Sequence, residues 1–221
     1  MKILHLETSS KNCSVAISDG DEILCVCEEI SENYKQSESL HTFVQWALEG
    51  AKITLNDLDA ISLGKGPGSY TGLRIGVSAA KGLCYALGIP LIAVDTLQTL
   101  ASQITVSDGL IIPMIDARRM EVYSAVFDVN HQNKREIQAE IIDENSFQGY
   151  DETLYFIGDC AAKCKSVLTK DNFVFLENIK YPSSKEMSRL SYEKYKISDT
   201  VDVAYFEPYY LKDFMITTSK K

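Results

Sequence analysis

Apolar and polar positions alternate along the first thirty residues in short runs. Residues 2–7 set Ile3, His5 and Glu7 against Leu4 and Leu6, a period of two that predicts a strand. Two further strands are predicted over residues 13–18 and 23–30, with Asp19–Gly20 as the hairpin turn between them. The period then changes. Leu40, Phe43, Val44, Ala47, Leu48 and Ala51 recur at the spacing of one helical face, which predicts a helix starting near Ser37 with Ser37 or Ser39 as N-cap. Trp46, the only tryptophan, lies off that face, either packed on a neighbouring loop or exposed as an interface anchor. A strand over 58–63, a glycine-rich loop over 64–72 and a helix over 73–87 follow, with Gly88 and Pro90 as stop signals. Residues 91–94 predict a strand and 96–104 a third helix.

After a weak linker at 107–109 the order starts again. Strands are predicted over 110–116, 121–128 and 135–142, then a short helix near Glu144, a strand over 154–157, a helix over 159–168, a strand over 173–176 and a helix over 185–196. The order strand–strand–strand–helix–strand–helix therefore occurs twice. It predicts an α/β protein of two subdomains, residues 1–108 and 109–221, each a mixed sheet with flanking helices.

Charge and composition narrow the function. Lys and Arg number 22 against 31 Asp and Glu, a net charge of −9, which argues against a stand-alone nucleic-acid binder. Lys212, Lys220 and Lys221 near the end offer a few phosphate contacts inside a complex. No apolar run approaches the roughly 20 residues of a membrane helix, and the first ten residues do not read as a secretory signal. The six cysteines are expected as buried free thiols in a reducing cytoplasm.

Two segments carry candidate chemistry. The first is GKGPGSYTGLRIG, comprising Gly64, Lys65, Gly66, Pro67, Gly68, Ser69, Tyr70, Thr71, Gly72, Leu73, Arg74, Ile75 and Gly76. A glycine-rich loop between strand and helix reads as a phosphate cradle or as a tight turn that sets strand against helix. No lysine and hydroxyl follow Gly72, and Thr71 stands where a dinucleotide loop needs glycine. The second is IDARRMEVY, where Asp116, Arg118, Arg119 and Glu121 read as a salt-bridged hairpin or as one wall of a cleft. With Glu7 and Thr8 they make the candidate cleft set. His5, His41 and His131 lack metal-ligand spacing, although His5 could face a cleft at its strand tip. In the second helix Ser78, Gly82 and Ala86 repeat every four residues, a small-residue ridge open to close helix packing. Leu40 and Trp46 of the first helix, with Ser78, Lys81, Gly82 and Tyr85 of the second, are the candidate partner surface, and tryptophan at Ala80 or Gly82 is expected to block it.

These segments, with KILHLETSSKNCSVAI at the start and EPYYLK near the end, resemble the TsaB family, the dimerisation subunits of the bacterial complex that forms threonylcarbamoyladenosine in tRNA. The resemblance implies an actin/hexokinase-like fold of two related halves. It implies a non-catalytic scaffold that pairs, through helices of its first half, with the catalytic paralogue TsaD, joined by the ATPase TsaE. ATP and a metal then belong to those partners, this chain carries no cofactor or metal of its own, and tRNA is met only through the complex. Without its partner the same surface is open to self-pairing as a homodimer, and the sequence leaves monomer and homodimer both open. Three positions depart from the family pattern: Glu7 for Asp, Gln36 for His and Lys65 for Arg. The alternative is an independent enzyme of this fold, an ATPase or a glycoprotease-like peptidase. Its second half offers only Gly158 toward an adenosine loop.

Overall fold

In the computed structural model, which describes residues 1–32 and 36–211, Lys2–Glu7 (β1) pairs antiparallel with Asn12–Asp19 (β2), and β2 with Glu22–Ile30 (β3). Helix α1 (Gln36–Ala51) follows, then β4 (Ala60–Gly64), α2 (Tyr70–Leu87), β5 (Leu91–Val94) and α3 (Thr96–Ala101). Strand β4 lies parallel to β1 and β5 parallel to β4, giving a sheet of order β3-β2-β1-β4-β5. The second sheet comprises β6 (Leu110–Asp116), β7 (Glu121–Phe127), β8 (Asn133–Ile141), β9 (Leu154–Ile157) and β10 (Phe173–Phe175). Read from the other edge its order is β8-β7-β6-β9-β10, with the same antiparallel and parallel pairings as the first. The repeat read from periodicity is therefore a repeat of topology, and two such sheets make the actin/hexokinase-like fold that the resemblance implied.

Both faces of the first sheet are covered. Leu4 and Leu6 point into a core shared with Leu40, Val44, Val77 and Ala80 of α1 and α2. The opposite face of β1 carries Ile3, His5 and Glu7, all fully buried. That face is capped by α5 (Met187–Lys196), whose Met187 joins Ile3, Ala60, Ile92 and Val94. His5 therefore lies under a helix and faces no cleft. Its Nε2 meets Ser18 Oγ at 2.8 Å and its Nδ1 meets Ser191 Oγ at 3.3 Å. The chain after the second sheet thus returns to the first, and α3 makes the reverse move. Leu97, Leu100 and Ala101 pack on Ile111, Ile115, Ala125 and Phe127 of the second sheet. Each half covers part of the other's sheet, so the expected division near residue 108 separates sheets but not helices.

Several element ends differ from expectation. Helix α1 begins at Gln36, which places Ser37 and Ser39 inside it, and the buried Gln36 donates to Ser10 O at 2.5 Å. Helix α2 begins at Tyr70, because the Ser69 hydroxyl accepts the Gly72 N–H at 3.3 Å and starts the helix inside the glycine-rich stretch. Gly88, in the left-handed region at φ 67°, ends it as expected. The helix expected near Glu144 is a run of turns, and that expected over 159–168 shortens to Ala161–Cys164 (α4). Lys212, Lys220 and Lys221 lie outside the described residues. Among the described residues no helix is long and apolar enough to cross a membrane, and the six cysteines are free, Cys25 and Cys27 being only half-buried.

Candidate functional site

The glycine-rich segment is built for contact with its own chain. The turn between β1 and β2 lies directly on it. Ser69 N–H donates to Ser9 O at 2.6 Å, and Thr8 Oγ1 donates to Gly72 O at 2.8 Å. A Cβ at Gly72 would overlap Thr8 O, and one at Gly76 would overlap Thr8 Oγ1. The two glycines are therefore required by close approach of the first strand's tip to α2. Thr8 and Ser9 therefore pack directly on the glycine-rich stretch, the close contact that the tight-turn reading expects.

Glu7, at the end of β1, is fully buried against Gly64, whose Cβ would strike its carboxylate. Oε1 accepts the Ser9 N–H at 2.7 Å, and Oε2 has no hydrogen-bond partner. Burial raises the carboxyl above the usual range, against the opposing pull of its Ser9 hydrogen bonds. Lys65, next in the loop, is ion-paired with Asp95 at 3.1 Å.

The β6–β7 hairpin forms a second cluster. Asp116 Oδ1 accepts the Arg118 N–H at 2.9 Å and the Lys163 ammonium at 2.6 Å, and Lys163 also donates to Arg119 O at 2.5 Å. These bonds hold Arg118 and Arg119 in the left-handed region, at φ 75° and 57°. Asp159 Oδ1 accepts the Asp116 N–H at 2.9 Å. Although Asp159 is exposed as a residue, enclosure of its carboxyl, and then the charge of Asp116, hold it up at about 6 against Lys163 and Lys11. Of the candidate cleft residues, Glu7 and Thr8 are buried while Asp116 and Arg118 are exposed. They do not line one open surface. Glu121 closes the hairpin through its backbone, donating to Arg118 O at 3.2 Å. Among the described residues no three His, Cys, Asp or Glu side chains are grouped to hold a metal ion.

The open surface lies on the helices. A groove of about 700 Å³ runs between α1 and α2, lined by Ser37 and His41 on one side and by Tyr70, Thr71, Arg74, Ile75, Ser78, Ala79, Gly82 and Leu83 on the other. Gly82 has nothing within 4 Å of where its Cβ would stand. Trp46 and Tyr85 are 53% and 88% exposed.

The protein-family model for TsaD, tRNA N6-adenosine threonylcarbamoyltransferase, matches residues 28–216. The tRNA threonylcarbamoyladenosine biosynthesis protein TsaB of Escherichia coli (strain K12) is 30% identical over 227 residues, covering 96% of this chain and 95% of that one. The chain belongs to the TsaB family. A Bacillus subtilis (strain 168) TsaB is 39% identical over 129 residues, 58% of this chain and 55% of its own length, so that match spans about half of each. The fold agrees with YeaZ from Pseudomonas aeruginosa, at a TM-score of 0.83 and 23% identity over 95% of this chain and 99% of that one.

Set against this TsaB-family chain, the candidate partner residues divide. Ser78, Gly82, Tyr85 and Trp46 are exposed. Leu40 is fully buried, because it lies on the stripe of α1 that covers the sheet. Ala80 is fully buried too, so tryptophan there would break the core instead of testing the surface. Lys81 is engaged within the chain, donating to Ala204 O at 2.9 Å and Phe206 O at 3.1 Å. Sequence reasoning missed His41, Ile75, Ala79 and Leu83. The last three recur every four residues, which was a readable signal for one wall of a groove.

Proposed function

We propose that this chain is the non-catalytic scaffold of the tRNA threonylcarbamoyladenosine-forming machinery. It pairs with a TsaD-like catalytic paralogue through the outer faces of α1 and α2, and a TsaE-like ATPase joins the pair. The observation that carries the pairing is the small-residue face of α2, where Ser78 and Gly82 are exposed beside an apolar groove. Helices pack at interaxial distances of roughly 8–10 Å when small residues meet at the crossing. Family membership supports the pathway, and the tRNA substrate is met through the partner because the chain is acidic, at net −9. In this reading ATP and metal are left to the partner subunits.

The test is Gly82→Trp. The position is open, so the variant is expected to keep its fold and to weaken binding of the TsaD-like subunit at least a hundredfold, measured by isothermal titration. Undiminished binding would contradict the proposed face. Homodimers of the free chain, read by analytical ultracentrifugation, are expected to dissociate with the same substitution.

A further inference from the structure

Residues 201–211 cross the first half as a strap. Val201 N–H donates to Leu91 O at 2.9 Å, on the edge strand β5. Lys81 of α2 then clamps the carbonyls of Ala204 and Phe206. Tyr209 N–H donates to Lys65 O at 2.8 Å, and Tyr209 O passes so near Gly66 that a Cβ there would come within 2.9 Å. Finally the Tyr210 ring packs on Tyr70 with centroids 5.0 Å apart, and the Arg74 guanidinium lies 5.3 Å from the Tyr70 centroid. Tyr70 and Arg74 also line the groove.

Helix geometry gives this contact its meaning. Positions 70 and 81 are about three turns apart and so share one side of α2, the side that meets the strap. Ile75, Ala79 and Leu83 turn the other way, into the groove shared with α1. Ser78 and Gly82 therefore stand between two walls, α1 and the strap. The strap wall is aromatic. Of the ten large apolar or aromatic side chains exposed among the described residues, five are tyrosines of α2 and the strap: Tyr70, Tyr85, Tyr205, Tyr210 and Tyr209, the last lining a separate cavity beside Lys65 and Asp95. Tyrosine is a residue of interface cores, because it adds contact area at little entropic cost and keeps a polar tip.

We propose that the strap is the second wall of the surface that receives the catalytic paralogue, with Tyr210 on Tyr70 as its anchor and Lys81 as a positioning residue. The proposal rests on the pairing face described above. The occupant follows from the family-model match: a paralogue built on the elements of residues 28–216 has its own helix pair to lay across α2. Lys81 does not touch that partner; it holds the strap in the place where Tyr210 does.

The experiment uses the full chain and the purified paralogue. Tyr210→Ala and Lys81→Met are each expected to raise the dissociation constant at least tenfold, and Tyr210→Phe to restore it to within about twofold of wild type. Lys81→Met is also expected to open the strap to chymotrypsin at Tyr209 and Tyr210, whereas bound paralogue protects the wild type there. Wild-type affinity for Tyr210→Ala, with Gly82→Trp abolishing binding, would overturn the strap and leave the helix face standing. Wild-type affinity for Gly82→Trp as well would sink the pairing reading itself. Weakened self-association with an unchanged affinity for the paralogue would also overturn the proposal, because the occupant would then be a second copy.

Discussion

His5 is held as a neutral imidazole between Ser18 and Ser191, and burial lowers its pKa from 6.5 to about 3. In the unfolded chain it titrates near its ordinary value. Between these two values the unfolded state binds a proton that the native state excludes, so stability is lost as pH falls below about 6.5. Burial of Glu7 acts in the opposite sense, since a raised carboxyl favours the fold as pH falls. The comparison that isolates the histidine is His5→Asn. Wild type is expected to lose about 2 kcal/mol more than the variant between pH 7 and pH 5, read from urea midpoints. Equal losses would show that His5 does not titrate with unfolding. Alternation in residues 2–7 placed His5 and Glu7 on one face. It could not show that α5, nearly two hundred residues later, covers that face.

At the scale of elements, two of the three glycines in α2, Gly76 and Gly82, have opposite duties. Gly76 faces Thr8 with no room for a methyl, while Gly82 faces open space. Gly76→Ala is expected to destabilise by roughly 1–3 kcal/mol through overpacking. Gly82→Ala is expected to stabilise by up to about 1 kcal/mol, the helix-interior cost of glycine. Denaturant unfolding of the two variants checks the pair, and a similar effect from both would contradict the assignment of faces. In the sequence, interior glycine costs roughly 1 kcal/mol against alanine at either position, which points to a close contact, internal or with a partner. The sequence could not separate an internal contact from an open one, because helical spacing does not say what lies beyond the helix. For the same reason Lys81 looked like a partner residue: its ligands are carbonyls more than a hundred residues away. Strand order was legible because short β segments and their turns are local signals. The helix expected near Glu144 failed because its polar residues cap turns, with Asp143 accepting the Asn145 N–H at 2.9 Å.

At the scale of the molecule, two sheets of the same order are joined by helices that each half lends the other, and the first half turns its α1–α2 face and the strap to solvent. The glycine-rich loop is packed with the chain's own Thr8 and Ser9, while a groove of about 700 Å³ stays open between α1 and α2. The use we propose for that face is as a scaffold. The most direct measurement is reconstitution of tRNA threonylcarbamoylation with the TsaD-like and TsaE-like subunits and the threonylcarbamoyl-adenylate synthase of the same organism, with and without this chain. Product is expected only when the chain is present, and Gly82→Trp is expected to behave like its omission. Equal product without the chain would contradict the scaffold role.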